Sequence, residues 1–252
     1  MCIRDSIETM TLIWAHRGDR VSLPENTLPA FARAMEVGAD GVEFDVQLAS
    51  DGVPVVIHDE TVDRTTNGTG RVMDLTSAAL GALDAGLDGV HAGVPTLAEV
   101  LDLLAPSRLR INIELKNSVE PYPGLEEAVV RLVVERGLVD RVVYSSFNHD
   151  SLAVLVAMKT GSEVGVLVDA DEWLRPWEIV QRLGADALHC PRQMLRIPGF
   201  VAGAREAGVP LRVWTVNRPK GFRRCLRAHV DGIITDDPAL ALAARDAAAK
   251  TG

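Results

Sequence analysis

The feature that most constrains this chain's fold is an alternation of nine short β-branched runs with amphipathic stretches. From residue 11 the strand candidates are LIWAH (12–16), VEFDV (42–46), VPVVIH (53–58), RINIEL (110–115) and RVVYSSF (141–147). They continue with VGVLV (164–168), DALHC (186–190), LRVWTV (211–216) and DGIITD (231–236). Helix-like segments separate most of them, at 28–37, 96–104, 124–136, 149–159, 173–183, 199–207 and 219–228, and another at 238–249 closes the chain. Strands alternating with helical patterns build βα units around a parallel sheet. Three similar joints, VGADGVEF, LGADALHC and AHVDGIIT, suit helix C-caps that turn into the next strand.

Nine strands are one more than a (β/α)₈ barrel uses. Parallel neighbours need a crossover of about a dozen residues or more, yet only QLASDG separates VEFDV from VPVVIH. Asp51-Gly52 is a tight-turn signal, so this pair reads as an antiparallel hairpin above the barrel rim. The expected fold is therefore α/β, a TIM (β/α)₈ barrel spanning 11–250 as one domain, with a small insertion at about 47–95 between strand 2 and its helix. Residues 1–10 show neither core periodicity nor a cap and are set aside as a disordered or extraneous leader, with Met10 as the natural start.

A barrel gathers its chemistry at the C-terminal ends of its strands, and the polar residues of these strands fall there. Strand 1 ends in His16-Arg17-Gly18, VEFDV carries Glu43 and Asp45, and RINIEL carries Glu114 ahead of Lys116. Residues i and i+2 share a strand face, so Glu43 and Asp45 repel each other and lose hydration unless something positive lies between them. Glu43, Asp45 and Glu114 make an oxygen-rich set suited to Mg²⁺ or Ca²⁺, with Mn²⁺ also compatible. The plainer alternative is that each carboxylate pairs with a nearby Arg or Lys.

His16 and the hairpin's His58 are the histidines placed to act as an acid/base pair at neutral pH. Asp59 either orients His58 or caps the next turn, and His189 is a further candidate for the barrel mouth. Arg17 and Lys116 supply fixed positive charge of the kind phosphoryl oxygens want. Trp214 is either a flat wall for a carbon skeleton or core filling. Together these residues read as metal-assisted phosphoryl transfer.

Formal charge is −9, and the chain is read as having no basic cluster to follow a nucleic acid or an anionic membrane, which leaves a small-molecule substrate. The three cysteines, Cys2, Cys190 and Cys225, are scattered and read as free thiols of a reducing, cytoplasmic compartment. No apolar run is long enough for a membrane span.

The stretch AHRGDRVSLPENTLPAFARAMEVGADGVEFDVQLASDGVPVVIHDETVDRTTNGTG resembles the glycerophosphodiester phosphodiesterase family, as do VPTLAEVLDLL, INIELK, SSF, VWTVN and VDGIITDDP, in order from about residue 12 to 245. The resemblance implies a TIM barrel with an insertion after strand 2. It also implies divalent-cation-dependent hydrolysis of glycerophosphodiesters, such as deacylated phospholipids, to glycerol 3-phosphate and an alcohol. On the matching positions, Glu43, Asp45 and Glu114 would hold the metal and His16 and His58 would be the acid/base pair, His16 favoured as base. Arg17 and Lys116 would contact phosphate, with Glu25-Asn26 in the PEN segment beside the site and Asn26 expected among the substrate contacts. Two rival readings differ: a lysophospholipase D with the same site, which needs an apolar entrance, and a catalytically silent phosphodiester-binding module.

Overall fold

The computed structural model describes residues 10–86, 89–170 and 175–250. Residues 1–9 of the expected leader, with Cys2, and the start of the expected helix at 173–174 lie outside the described residues. Eight parallel strands close into a barrel: β1 (Leu12–His16), β2 (Gly41–Leu48), β4 (Arg110–Leu115), β5 (Val142–Ser146), β6 (Glu163–Leu167), β7 (Ala187–Pro191), β8 (Leu211–Trp214) and β9 (Gly232–Thr235). Closure is made by β1, which pairs with β9 on one side and β2 on the other. The ninth strand, β3 (Pro54–Val56), is antiparallel to the end of β2, with Val46 opposite Val56 and Leu48 opposite Pro54.

The hairpin turns where Asp51-Gly52 indicates. Gly52 takes φ +75° and donates to Ala49 O, and Ala49 N donates to Val53 O. Strand β3 is shorter than the run 53–58 suggests: Ile57 N still donates to Asp45 O of β2, and beyond it the chain turns away with His58. The excursion carries its own small core of Val55, Ile57, Val62, Val72, Leu80 and Val94, and its short helix α2 (Ser77–Gly81) is tied back where Asp51 accepts from Ser77. It ends at a capping box: Thr96 accepts from Glu99 N and Glu99 accepts from Thr96 N, starting helix α3 (Leu97–Leu104).

Helices α1 (Leu28–Glu36), α4 (Leu125–Glu135), α5 (His149–Met158), α6 (Trp177–Leu183), α7 (Phe200–Glu206), α8 (Pro219–Arg227) and α9 (Pro238–Ala249) complete the outer ring. The three similar joints do more than end helices. Asp40 accepts from Ile13 N at 2.7 Å, Asp186 from Val164 N at 2.8 Å, and Asp231 from Leu211 N at 2.7 Å. Each aspartate thus clasps the entry of the neighbouring strand and satisfies a backbone donor there. Inside the barrel His189 is fully buried, 2.9 Å from Arg212, which pairs with Glu163. The expectation of His189 at the mouth is corrected: its side chain points into the barrel interior, where burial, reinforced by the Arg212 charge, pushes its pKa well down and keeps it neutral.

Candidate active site

The site is built outward from β2. Glu43, Asp45 and Gln47 alternate along this strand, so all three leave the same face, and they are at most 3% exposed. Parallel register sets Glu43 beside His16 of β1 and Asp45 beside Glu114 of β4. One oxygen from each of Glu43, Asp45 and Glu114 lies within 4.8 Å of the others. Arg17 Nε sits 3.2 Å from Asp45, and Lys116 Nζ donates to Glu114 at 2.9 Å.

These pairings treat the three acids unequally. Burial alone would raise the Asp45 pKa, but the charges of Arg17, His58 and Lys116 with the Asn26 hydrogen bond bring it below its ordinary value. Burial raises Glu114 despite Lys116. Glu43 is raised furthest, first by burial and then by the Asp45 and Glu114 charges. Among the described residues no Arg or Lys side chain pairs with Glu43, whose contacts are Arg17 N at 3.3 Å and His16 Nε2 at 3.9 Å. A buried carboxylate without a cationic partner, facing two others, is what a hard divalent cation with oxygen ligands would complete. The residues fit such an ion.

Each histidine is backed by its own carboxylate. His16 Nδ1 lies 2.6 Å from Asp236 Oδ1, so the ring proton sits on Nδ1 and leaves Nε2 toward the carboxylates. Burial, the largest influence, lowers the His16 pKa against the opposing pull of Asp236, which favours the neutral, proton-accepting ring. His58 Nδ1 lies 2.5 Å from Asp59 Oδ1, and its Nε2 faces Lys116 Nζ at 3.4 Å. Asp59 therefore orients the imidazole, the first of the two roles the sequence leaves open.

Longer-range contacts hold this arrangement. Gln47 Nε2 faces three carbonyls, Ile57 O at 3.1 Å, His58 O at 3.0 Å and Asp59 O at 2.8 Å, while Tyr122 donates to its Oε1. Glu25 gathers Arg17, Arg20 and Arg64, each at 2.8 Å, and Arg64 also holds Asp59, so the excursion is fastened to the first loop. Arg17 and Asn26 both occupy the left-handed region at φ 58°, which costs a non-glycine residue. Arg17 N donates to Glu43 O and Asn26 N to Arg17 O, which fastens the pair to β2. Gly18 is required here: at φ +84°, a Cβ would stand 2.7 Å from Ala30 of α1.

His16, Arg17, Glu43, His58, Glu114, Lys116 and Trp214 border one cavity of about 120 Å³ at the C-terminal mouth. Trp214 is part of its wall, edge-on to Phe147 with centroids 5.8 Å apart, and Leu167 and Ile234 extend that apolar side. Asn26 departs from expectation. It is 4% exposed and stands behind Asp45, to which its Nδ2 donates at 2.9 Å, so it holds a carboxylate in place and does not border the cavity. Asp236, Gln47, Arg64 and Phe147 are site residues that the sequence left without a role. The only hint for Asp236 was its place at the end of the last strand.

A second correction concerns charge. Arg192, Arg196, Arg218, Lys220 and Arg224 line a groove of about 530 Å³ beside the mouth, and the segment 218–227, RPKGFRRCLR, is itself basic. The net charge of −9 conceals this cluster because the acids are spread over the rest of the chain.

Residues 16–240 match the model of the glycerophosphoryl diester phosphodiesterase family. The chain belongs to that family. A glycerophosphodiester phosphodiesterase of Caldanaerobacter subterraneus subsp. tengcongensis is 47% identical over 232 residues, covering 90% of this chain and 95% of that protein. Among solved structures, a glycerophosphodiester phosphodiesterase of Agrobacterium tumefaciens is similar with a TM-score of 0.81 at 34% identity, over 93% of this chain and 100% of that one. A phosphodiesterase of Oleispira antarctica, in complex with the product sn-glycerol 3-phosphate, has a TM-score of 0.81 at 29% identity, over 94% and 97% of the two chains. Family membership and the TIM barrel thus agree with the sequence-based expectation.

Proposed function

We propose that this protein hydrolyses glycerophosphodiesters to sn-glycerol 3-phosphate and an alcohol, using one divalent cation and a histidine acid/base pair. The observation that carries this reading is the buried Glu43–Asp45–Glu114 cluster flanked by two imidazoles, each backed by a carboxylate. Glu43, Asp45 and Glu114 would hold the cation (Mg²⁺, Ca²⁺ or Mn²⁺), which when bound offsets charge on the phosphoryl oxygens. Arg17 and Lys116 add fixed positive charge beside it. His16 Nε2 accepts the proton of the nucleophile, a water or the glycerol's own 2-hydroxyl, and Asp236 stabilises the imidazolium that results. Attack by the 2-hydroxyl gives a cyclic phosphate that a water then opens to sn-glycerol 3-phosphate. His58, held by Asp59, protonates the leaving alcohol. Trp214 and Phe147 offer a flat apolar side for the carbon skeleton.

The cavity lining favours this reading over a lysophospholipase D. Its 120 Å³ adjoins, at Thr215, a groove lined by four arginines and Lys220, where an acyl chain would want apolar side chains. Two buried, unpaired thiols, Cys190 and Cys225, support a reducing compartment, the cytoplasm. Among the described residues no helix is long and apolar enough to cross a membrane.

The test compares glycerophosphocholine with a lysophosphatidylcholine and measures each histidine variant. Glycerophosphocholine should be the better substrate, with sn-glycerol 3-phosphate released, and His16→Ala or His58→Ala should lower turnover by roughly 10²–10⁴. Preference for the lysolipid, or near-normal turnover in either variant, would overturn the reading.

A further inference from the structure

The basic groove is not used by the chemistry above. Of its cations, Arg192, Arg196, Arg218 and Lys220 are exposed, and none of them, nor Arg224, forms an ion pair with a carboxylate among the described residues. Elsewhere most arginines near the mouth are neutralised: Arg17, Arg20 and Arg64 share Glu25, and Arg64 also takes Asp59. In a chain with 35 acidic and 26 basic residues, a concave surface with five cations and no acidic lining residue is a concentrated positive field.

The groove adjoins the catalytic cavity. Thr215 borders both. Asn217, on the groove wall, donates to Asp236, the carboxylate that holds His16. A molecule whose scissile phosphate lies at His16 has, past Thr215, a route along which its next few atoms reach these arginines and Lys220.

We infer that this groove binds a second phosphate of the substrate, so that the preferred glycerophosphodiesters carry a further phosphate or phosphodiester beside the scissile one. The inference rests on the proposed activity and specifies its substrate class. Arginines suit the role because the guanidinium fork pairs with phosphate oxygens in bidentate fashion. The basic strip continues past this groove to Arg223 and Arg227, which with Lys220 and Arg224 line a second hollow on α8. An anionic membrane fits less well than a substrate phosphate, since the groove is concave and the chain's net charge of −9 repels such a surface. The second phosphate has two sources of the same chemistry, a phosphorylated head group or the next unit of a phosphodiester-linked chain.

The test measures kcat/KM for glycerophosphoinositol, for glycerophosphoinositol phosphate and for a glycerol phosphate dimer. Each is taken with the wild type, with Arg192→Ala/Arg196→Ala/Lys220→Ala, and with Arg131→Ala as a control cation away from the groove. Calorimetric binding of the two inositol diesters is measured alongside, so that the groove is tested whether or not turnover occurs. The wild type should favour at least one doubly anionic substrate by about tenfold or more, and the favoured one identifies the source of the second phosphate. That preference should shrink as ionic strength rises from about 0.05 M to about 0.5 M. The triple variant should lose it while handling glycerophosphoinositol as the wild type does, and Arg131→Ala should retain it. Equal kcat/KM and equal binding across the substrates, or a preference that survives in the triple variant, would overturn the inference. So would groove-dependent binding to phosphatidylserine vesicles without any substrate preference. Absence of turnover with tighter binding of the phosphorylated diester would instead contradict the proposed activity and leave the groove assignment standing.

Discussion

Gln47 holds the main-chain carbonyl of His58 at 3.0 Å from two positions further along the strand face that carries Asp45. The same amide reaches Ile57 O and Asp59 O, so one buried side chain fixes both the path of the hairpin exit and the distance of His58 from the carboxylates. Glu43, Asp45 and Gln47 thus divide one strand face between ligand and support.

This relationship predicts a positioning effect. Gln47→Leu removes the donor to three carbonyls, and His58 should drift from its place over the mouth. We expect kcat to fall by about 10²-fold, the scale of an ångström-sized misplacement, with KM changed much less and Gln47→Glu failing to restore it. Steady-state kinetics check this, and a variant with unaltered kcat would show that His58 is held by other contacts.

Asp236 makes the corresponding prediction for His16. Asp236→Asn keeps the shape but removes the acceptor-only partner that sets the Nδ1–H tautomer. Turnover should drop by roughly 10²-fold or more with KM little affected, and Asp236→Glu should recover part of it. Equal loss in the Glu and Asn variants, accompanied by a lower melting temperature, would point to a purely structural role.

Much of this was legible in the sequence because it is local. The i, i+2 spacing of Glu43 and Asp45, the turn at Asp51-Gly52, and the strand–helix alternation each depend on a few neighbouring residues. What was not legible depends on contacts across the fold. His16 and Asp236 are 220 positions apart and meet only because β1 and β9 pair to close the barrel. Asn26 was expected on the phosphate, yet its left-handed backbone turns its amide to Asp45. His189 looks polar at a strand end, but strand alternation points it into the barrel toward Arg212. The basic groove was missed because a net charge averages over a surface, and the cations of α8 meet Arg192 and Arg196 only in the folded barrel.

Glu25 gives the pH dependence of stability. Burial would raise its pKa, but Arg64, Arg17 and Arg20 outweigh this and leave it below its ordinary value. A carboxyl with a depressed folded pKa contributes stability that is present above the unfolded value of about 4.3 and is lost as pH falls through the folded one. Glu25→Gln should therefore be less stable at neutral pH by about 1–3 kcal/mol and should lose less of its remaining stability than the wild type between about pH 5 and about pH 3. Urea melts at several pH values check this, and parallel curves for the two proteins would contradict it.

The central claim is that Glu43, Asp45 and Glu114 hold a divalent cation on which turnover depends, and release of sn-glycerol 3-phosphate from glycerophosphocholine tests it most directly. The protein is assayed as purified, after exhaustive chelation, and after return of Mg²⁺, Ca²⁺ or Mn²⁺ singly, with Glu43→Gln alongside. The account predicts that chelation abolishes release, that at least one ion restores it, and that Glu43→Gln is not restored at the same ion concentration. Full activity after chelation, or full recovery of the Glu43 variant, would contradict it.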